Sequence, residues 1–102
     1  MRLIKPQTVE AWAKAHPTTK PALANWMTVI RAAQWKSFAN LRQTFASADQ
    51  VKVASGRTAV VFNIAGNRFR LIAAVHYQTA IVFALRFLTH ADYSKDRWKD
   101  EL

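Results

Sequence analysis

The sequence predicts an α+β domain in which N-terminal helices pack on one face of a small, mainly antiparallel sheet. Apolar residues recur at helical spacing in the first half of the chain. The second half is instead rich in β-branched and aromatic residues, and turn signals interrupt it. The 102 residues are enough for one hydrophobic core, so we expect a single domain over residues 1–102.

Two helices and a shorter helical turn are expected first. The opening helix is stopped by Pro17, and the next one begins with threonines that are candidate caps and an early Pro21. We expect this second helix to end between Ala33 and Trp35. The inward positions are predicted to be Val9, Trp12, Ala13 and His16 in the first helix, Leu23, Trp26, Met27 and Ile30 in the second, and Phe38, Leu41 and Phe45 in the third.

The strands are expected to follow. A short edge strand at Val51–Val53 precedes a turn at Ser55-Gly56, and the segments RTAVVFNI and NRFRLIAAVHY then flank a hairpin signal. The segment AIVFALRFLT is apolar on both faces, which is typical of a strand inside a sheet. The remaining tail, from His90 onward, is polar with a weak helical pattern.

The hairpin has one apolar face and one face that carries arginines. A two-residue turn at Ala65-Gly66 or Gly66-Asn67 places odd positions of the first strand beside even positions of the second. The apolar face then consists of Val60, Phe62, Ile64, Phe69, Leu71, Ala73 and Val75, and the other face of Asn63, Arg68, Arg70, Ile72 and Ala74. An arginine within a sheet is costly unless it meets negative charge. The second face therefore either contacts solvent or binds an anion.

The face of the sheet on which Arg86 lies depends on the connection before its strand, near Gln78-Thr79. A two-residue turn at Gln78-Thr79 would send its side chain into the core, whereas a bulge or a longer loop would bring it alongside Arg70. Because burial of a lone arginine in the core is the costlier arrangement, we expect the bulge or the longer loop.

The composition indicates an anionic partner. Lys and Arg number 15 against 6 Asp and Glu, which gives a net charge of +9. Such an excess favours nucleic acid first, an acidic protein second and an anionic membrane surface third. With no cysteine, the chain has neither disulfides nor thiolate metal sites. The apolar start is broken at Lys5-Pro6, and AIVFAL is too short to span a membrane, so we expect a cytoplasmic protein.

The segment VVFNIAGNRFRLIAAVHY, followed by RFLTHADYSK, resembles the HigB-like branch of the RelE/ParE toxin superfamily. That family has a Phe-Asn-Ile/Val-Gly-Gly-Asn hairpin, an Arg-Leu/Val strand, and then Arg and Thr-His-x-x-Tyr near the C-terminus. The likeness covers nearly the whole chain and departs at Ala65, where the family usually has glycine.

The resemblance implies a fold, an activity and partners. The fold would be a microbial-RNase-like sheet packed against N-terminal helices. The protein would be the toxin of a type II toxin–antitoxin pair, an mRNA interferase that inhibits translation by cutting mRNA, generally on the ribosome. Its partner would be a small helix-turn-helix antitoxin (HigA-like) that represses their shared operon.

RNA cleavage of this kind needs no metal or other cofactor, because the 2′-OH attacks the adjacent phosphate and the 5′-oxygen leaves. Arg70 and Arg86 are the candidates for holding the phosphate, since a guanidinium is planar and permanently charged. His90 and Tyr93 are the candidates for proton transfer, and the sequence leaves open which is base and which is acid. As a base, Tyr93 would need neighbouring cations that lower its pKa. Additional RNA contacts are expected from Arg68, Asn63, Asn67 and Lys95.

Each candidate also has a structural interpretation. The hairpin arginines are equally consistent with exposed strand positions, His90 with a loop histidine, and Tyr93 with packing over the sheet. Asn67 is expected mainly as a turn residue, because asparagine tolerates positive φ. Structural or surface roles are expected for His16 and His76, core positions for Trp12 and Trp26, and no role is assigned to Trp35 and Trp98.

Two other functions compete with the nuclease. A non-catalytic basic nucleic-acid-binding module would explain the charge and the arginines, but not the adjacent THADY segment. A ParE-like toxin that acts on DNA gyrase shares the fold without nuclease chemistry. The presence of His90 and Tyr93 argues against both alternatives.

Overall fold

The computed structural model describes residues 1–102 and confirms the α+β fold class. Five strands form one sheet in the order β1-β5-β4-β3-β2, in which β1 is parallel to β5 and all other neighbours are antiparallel. A 3-10 turn at Pro17–Thr19 separates the first two helices. The elements are β1 (Arg2–Ile4), α1 (Pro6–Ala15), α2 (Lys20–Ala32), α3 (Phe38–Thr44), β2 (Asp49–Lys52), β3 (Thr58–Ile64), β4 (Phe69–His76), β5 (Ile81–Thr89), α4 (His90–Ser94) and α5 (Arg97–Glu101).

The three N-terminal helices lie where the apolar spacing predicts them, and α2 ends one residue early, at Ala32. Their inward side chains pack against one face of the sheet, here called the inner face; Val9, Leu23, Trp26, Ile30 and Leu41 are fully buried there. Thr19 is the N-cap residue of α2, as expected, but its side chain does not accept a hydrogen bond from the helix. The Thr19 hydroxyl donates to the His16 carbonyl at 2.7 Å, so it is engaged in the preceding turn and does not cap α2.

Strand β1 was not predicted, because three residues carry too little periodicity to identify a strand. It pairs with β5 and thereby places β5 between two neighbours, as expected for a strand that is apolar on both faces. The edge strand β2 begins two residues before the predicted start.

The β3–β4 hairpin has the predicted faces. Asn63 pairs with Arg70, and the side chains predicted to be apolar and inward are buried or half-buried on the inner face. The connection is four residues long rather than two, although the pairing of odd with even positions is kept. Asn67 lies in the turn, as expected, although positive φ occurs at Ala65 (54°) and Gly66 (68°) and not at Asn67.

A β-bulge sets the face on which Arg86 lies. Ala73 pairs with Ala84, but the preceding residue of β4, Ile72, pairs with Arg86, so that Leu85 is the extra residue. Arg86 is therefore on the same face as Arg70, which confirms the bulge that was expected from the cost of burying the side chain in the core.

The opposite face of the sheet, here called the outer face, is covered in part by the C-terminal tail. Helices α4 and α5 fold back over it, and Trp98 packs with Val53, Ala59, Val61 and Ile72 in a second, smaller core. The polar tail thus contributes a buried tryptophan to the fold. No helix combines the length and the hydropathy that a membrane span requires.

Candidate functional site

Arg70 is a buried cation without an acidic partner. Its side chain points to the outer face of β4, and the residue is only 9% exposed. The guanidinium donates to the carbonyls of Asn67 and Phe69, both at 3.1 Å, and lies 5.6 Å from the centre of the Tyr93 ring. The ion pairs of the chain involve other cations: Arg86, Lys95 and Lys99.

His90 completes this arrangement from the start of α4. Thr89 caps the helix by accepting from the Asp92 amide at 3.2 Å, and the His90 amide donates to the Arg68 carbonyl at 2.9 Å. These bonds fix the junction of β5 and α4 beside the hairpin turn. The His90 Nδ1 then lies 3.2 Å from Arg70 Nη2.

The hydrogen bond between the two side chains defines the histidine tautomer. A guanidinium can only donate, so Nδ1 accepts and the ring proton is assigned to Nε2. His90 is exposed. Its Nε2–H is therefore available to a ligand while Arg70 holds the other side of the ring.

Tyr93 is half-buried three residues after His90 and faces the Arg70 guanidinium. Burial raises the pKa of the Tyr93 phenol; Asp49 and Asp96 raise it further, and the opposing effects of Lys99 and Arg70 do not reverse the shift. The neighbouring cations therefore act in the expected direction, but burial outweighs them, and the low pKa that a base would need is not reached. Tyr93 is a neutral phenol at physiological pH and is suited to donate a hydrogen bond rather than to act as a base.

Trp98 holds Tyr93 from the side of α5, a contact that sequence reasoning left unassigned. The indole is 2% exposed, stacks on the Tyr93 ring at 5.4 Å between centroids, and donates from Nε1 to the Tyr93 carbonyl at 3.1 Å. The available signal was a single tryptophan in a polar tail, since so large an apolar side chain is usually buried.

Arg86 shares the outer face but makes different contacts. Its Nε lies 3.3 Å from Glu101 Oε2 in a solvent-exposed ion pair, and Nη1 donates to the Leu85 carbonyl at 2.8 Å. The pairing of Ile72 with Arg86 makes Arg70 a diagonal neighbour of Arg86 across the strands. No hydrogen bond joins Arg86 to the Arg70–His90 pair.

The four residues expected to contact RNA lie at the edge of this site or outside it. Arg68 and Asn67 are exposed in the hairpin turn, and Asn63 Nδ2 lies 3.5 Å from Asn67 Oδ1. The part of Asn67 that reaches the site is its backbone carbonyl, which binds Arg70. Lys95 is exposed and pairs with Asp92 at 3.7 Å.

The site offers hydrogen-bond donors and positive charge in one place. Three hydrogen bonds engage the Arg70 guanidinium, which has five N–H groups, so at least two remain for an anion. The exposed His90 ring adds its Nε2–H as a neutral donor, and the Tyr93 ring lies against the guanidinium, 5.6 Å from it. This set suits an oxyanion such as a phosphate group.

Comparison with known proteins agrees with the family resemblance that the β3–β4 hairpin and the segment RFLTHADYSK indicate. The model of the HigB toxin family, the RelE-like toxic component of a toxin–antitoxin system, matches residues 19–96. The mRNA interferase toxin HigB of Escherichia coli (strain K12) is 27% identical over 93 residues, which cover 91% of this chain and 88% of that protein. The mRNA interferases HigB of Escherichia coli O157:H7 and Shigella flexneri align with the same identity and coverage. Because the family model matches most of this chain, the chain belongs to the HigB toxin family, the RelE-like toxic component of a toxin–antitoxin system.

Proposed function

We propose that this toxin is an mRNA interferase, a metal-independent endoribonuclease that cuts mRNA on the ribosome, in the cytoplasm. The observation that carries the proposal is the buried guanidinium of Arg70, which has no carboxylate partner and binds His90 Nδ1 at 3.2 Å. Burying an unpaired cation costs free energy, so a site that does so has a use for the charge. A scissile phosphodiester supplies the missing anion.

In the proposed reaction the 2′-OH loses its proton to water as its oxygen bonds to phosphorus, while the bond from phosphorus to the 5′-oxygen breaks and that oxygen takes up a proton. The products are a 2′,3′-cyclic phosphate and a 5′-hydroxyl end. Arg70 stabilises the charge that grows on the phosphoryl oxygens, because its remaining N–H groups are already oriented by the carbonyls of Asn67 and Phe69.

His90 serves on the donor side of this reaction. With Nδ1 bound to Arg70, Nε2 carries the proton and donates toward the phosphoryl oxygen or the departing 5′-oxygen. Tyr93, whose pKa is raised, contributes as a neutral donor and as a surface for the Arg70 guanidinium. Arg86 joins the phosphate contacts by exchanging Glu101 for RNA, since an exposed ion pair of this kind is weak.

The RNA path is proposed to extend along the hairpin turn. Arg68 and Lys95 are exposed cations near the two ends of α4, because the Arg68 carbonyl binds the His90 amide and Lys95 ends the helix. Asn63 and Asn67 present amide groups next to Arg70. Such contacts position a backbone more than they select a sequence.

A cognate antitoxin is the second partner. The family is defined by a toxin–antitoxin system, and the net charge of +9 suits an acidic protein. We propose that this antitoxin is a small helix-turn-helix protein of the HigA-like kind, encoded beside the toxin.

The test is a translating extract programmed with one reporter mRNA. The parent chain is expected to cut the message and leave 5′-hydroxyl ends, whereas His90→Ala and Arg70→Ala are expected to leave it intact. Gyrase supercoiling, assayed in parallel, should be unaffected. An uncut message together with inhibited gyrase would instead assign the chain to the ParE-like mode of action, and binding of the message without cleavage would indicate a non-catalytic module.

A further inference from the structure

A groove of about 860 Å³ opens on the outer face, at the end of the sheet beyond α5. Its floor consists of small side chains, Ala59 of β3 and Ala74 of β4, and this makes the groove deep. Phe83 and Leu85 of β5 line one side, and Arg57, from the β2–β3 connection, lines the other. The phosphate contacts described above do not use this groove, whereas two of its lining residues, Val53 and Ala59, also pack against Trp98 of α5.

Phe83 marks the groove as a surface that another molecule would bury. The residue is 38% exposed, more than any other large hydrophobic residue of the chain. The ring meets the exposed His76 ring edge-on at 5.7 Å, which gives it one aromatic contact on the surface. An oriented aromatic side chain beside a concave apolar surface is typical of an anchor point in a protein interface.

The charge around the groove favours an acidic occupant. No Asp or Glu side chain lines it, and Arg57 is exposed without an ion pair. Single-stranded RNA binds through several stacked aromatic rings and a track of cations. Here the Phe83 and His76 rings meet edge-on, and with one arginine they accompany a mostly aliphatic lining, which suits a protein segment better than a strand of RNA.

We propose that this groove docks the antitoxin, through a segment that places an apolar side chain against Phe83 and acidic side chains near Arg57. The inference rests on the antitoxin partner proposed above and on no step of the cleavage reaction. Ala74 lies four residues from Arg70 along β4, or ~13 Å. A segment bound there occupies the same face of the sheet as the candidate cleavage site and hinders the approach of RNA.

The test uses the full-length toxin and the purified antitoxin encoded beside it. Their affinity is measured by calorimetry without RNA, and mRNA cleavage by the same toxin samples is measured separately. Phe83→Ser is expected to weaken antitoxin binding by about 30-fold or more, as loss of an anchor residue does. Arg57→Glu is expected to weaken it by about tenfold or more through charge repulsion. Arg31→Glu, the same charge change on the exposed surface of α2, is the matched control and should change the affinity less than about threefold.

Groove variants that cut mRNA at the parental rate but escape the antitoxin would support the inference. Parental affinity in both variants would overturn it. A folded Phe83→Ser chain that no longer cuts mRNA would assign the groove to RNA, and this too would overturn it. Because binding is measured without RNA, a parent chain that proved inactive on mRNA would count against the proposed nuclease and leave the binding result intact.

Discussion

Arg70 Nη2 and His90 Nδ1 lie 3.2 Å apart, and this contact joins the middle of the sheet to the first residue of α4. One partner is 9% exposed and the other is exposed to solvent. The buried charge is thus coupled to an accessible ring that carries its proton on the outward nitrogen. The two side chains form one unit that presents a cation and a neutral donor to the same ligand.

The fork shape of Arg70 is expected to matter as much as its charge. Lysine cannot reach two carbonyls and an imidazole at once, so Arg70→Lys should lower the cleavage rate by about 10²–10³ with little change in fold. The matched control is Arg68→Lys, at an exposed position two residues away. Single-turnover cleavage of a reporter RNA measures the rates of both variants. Equal activity of the two variants would show that the site uses charge alone.

The chain has two tyrosines, Tyr77 and Tyr93, and burial raises the pKa of each. A phenol whose pKa is raised by folding stabilises the fold fully below the unfolded value of ~10, and this contribution is lost as the pH rises through the higher folded value. At pH ~10, where a free tyrosine is half ionised, an absorbance titration should therefore show less than half of either phenol as phenolate. Tyr77→Phe isolates the signal of Tyr93. Ionisation of Tyr93 near neutral pH would restore it as a candidate base and contradict its assignment as a donor.

Glu101 is expected to compete with RNA for Arg86. The ion pair is exposed and worth less than ~1 kcal/mol, so Glu101→Gln should barely change the free energy of unfolding. In a His90→Ala background that does not cut, the same change should tighten binding of a short RNA by up to about fivefold. Asp100→Asn removes the same charge from the same helix without an ion pair and serves as control. Identical affinities for the two variants would mean that RNA does not use Arg86.

Ala65 carries backbone strain in the hairpin turn. Its φ is 54°, a left-handed value that costs a residue with a Cβ about 1–2 kcal/mol. Ala65→Gly should therefore raise the unfolding free energy by ~0.5–1 kcal/mol after the extra chain entropy of glycine is subtracted. The exposed Ala24 lies inside α2, where the same substitution should lower stability by about 1 kcal/mol. Urea unfolding compares the two, and a loss of stability at both positions would exclude strain at Ala65.

Most of the fold could be predicted from local patterns, because helical and strand periodicities in this chain agree with the final packing. The face of Arg86 followed from one physical preference, the cost of burying its charge, which required the bulge at Leu85. The high pKa of Tyr93 could not be predicted, since it depends on burial under Trp98 and on the distant Asp49. The contact of Arg70 with His90 likewise depends on the turn of α4 back over the sheet, which spacing alone does not define.

The most direct test of the account is a double-mutant cycle on cleavage by Arg70→Ala, His90→Ala and the combined variant. If the two side chains act as one unit on the phosphate, each single change costs about 10²–10⁴ in rate, and the double variant is no worse than the more damaged single one. Cleavage at the parental rate by either single variant, or losses that multiply in the double variant, would contradict a shared site.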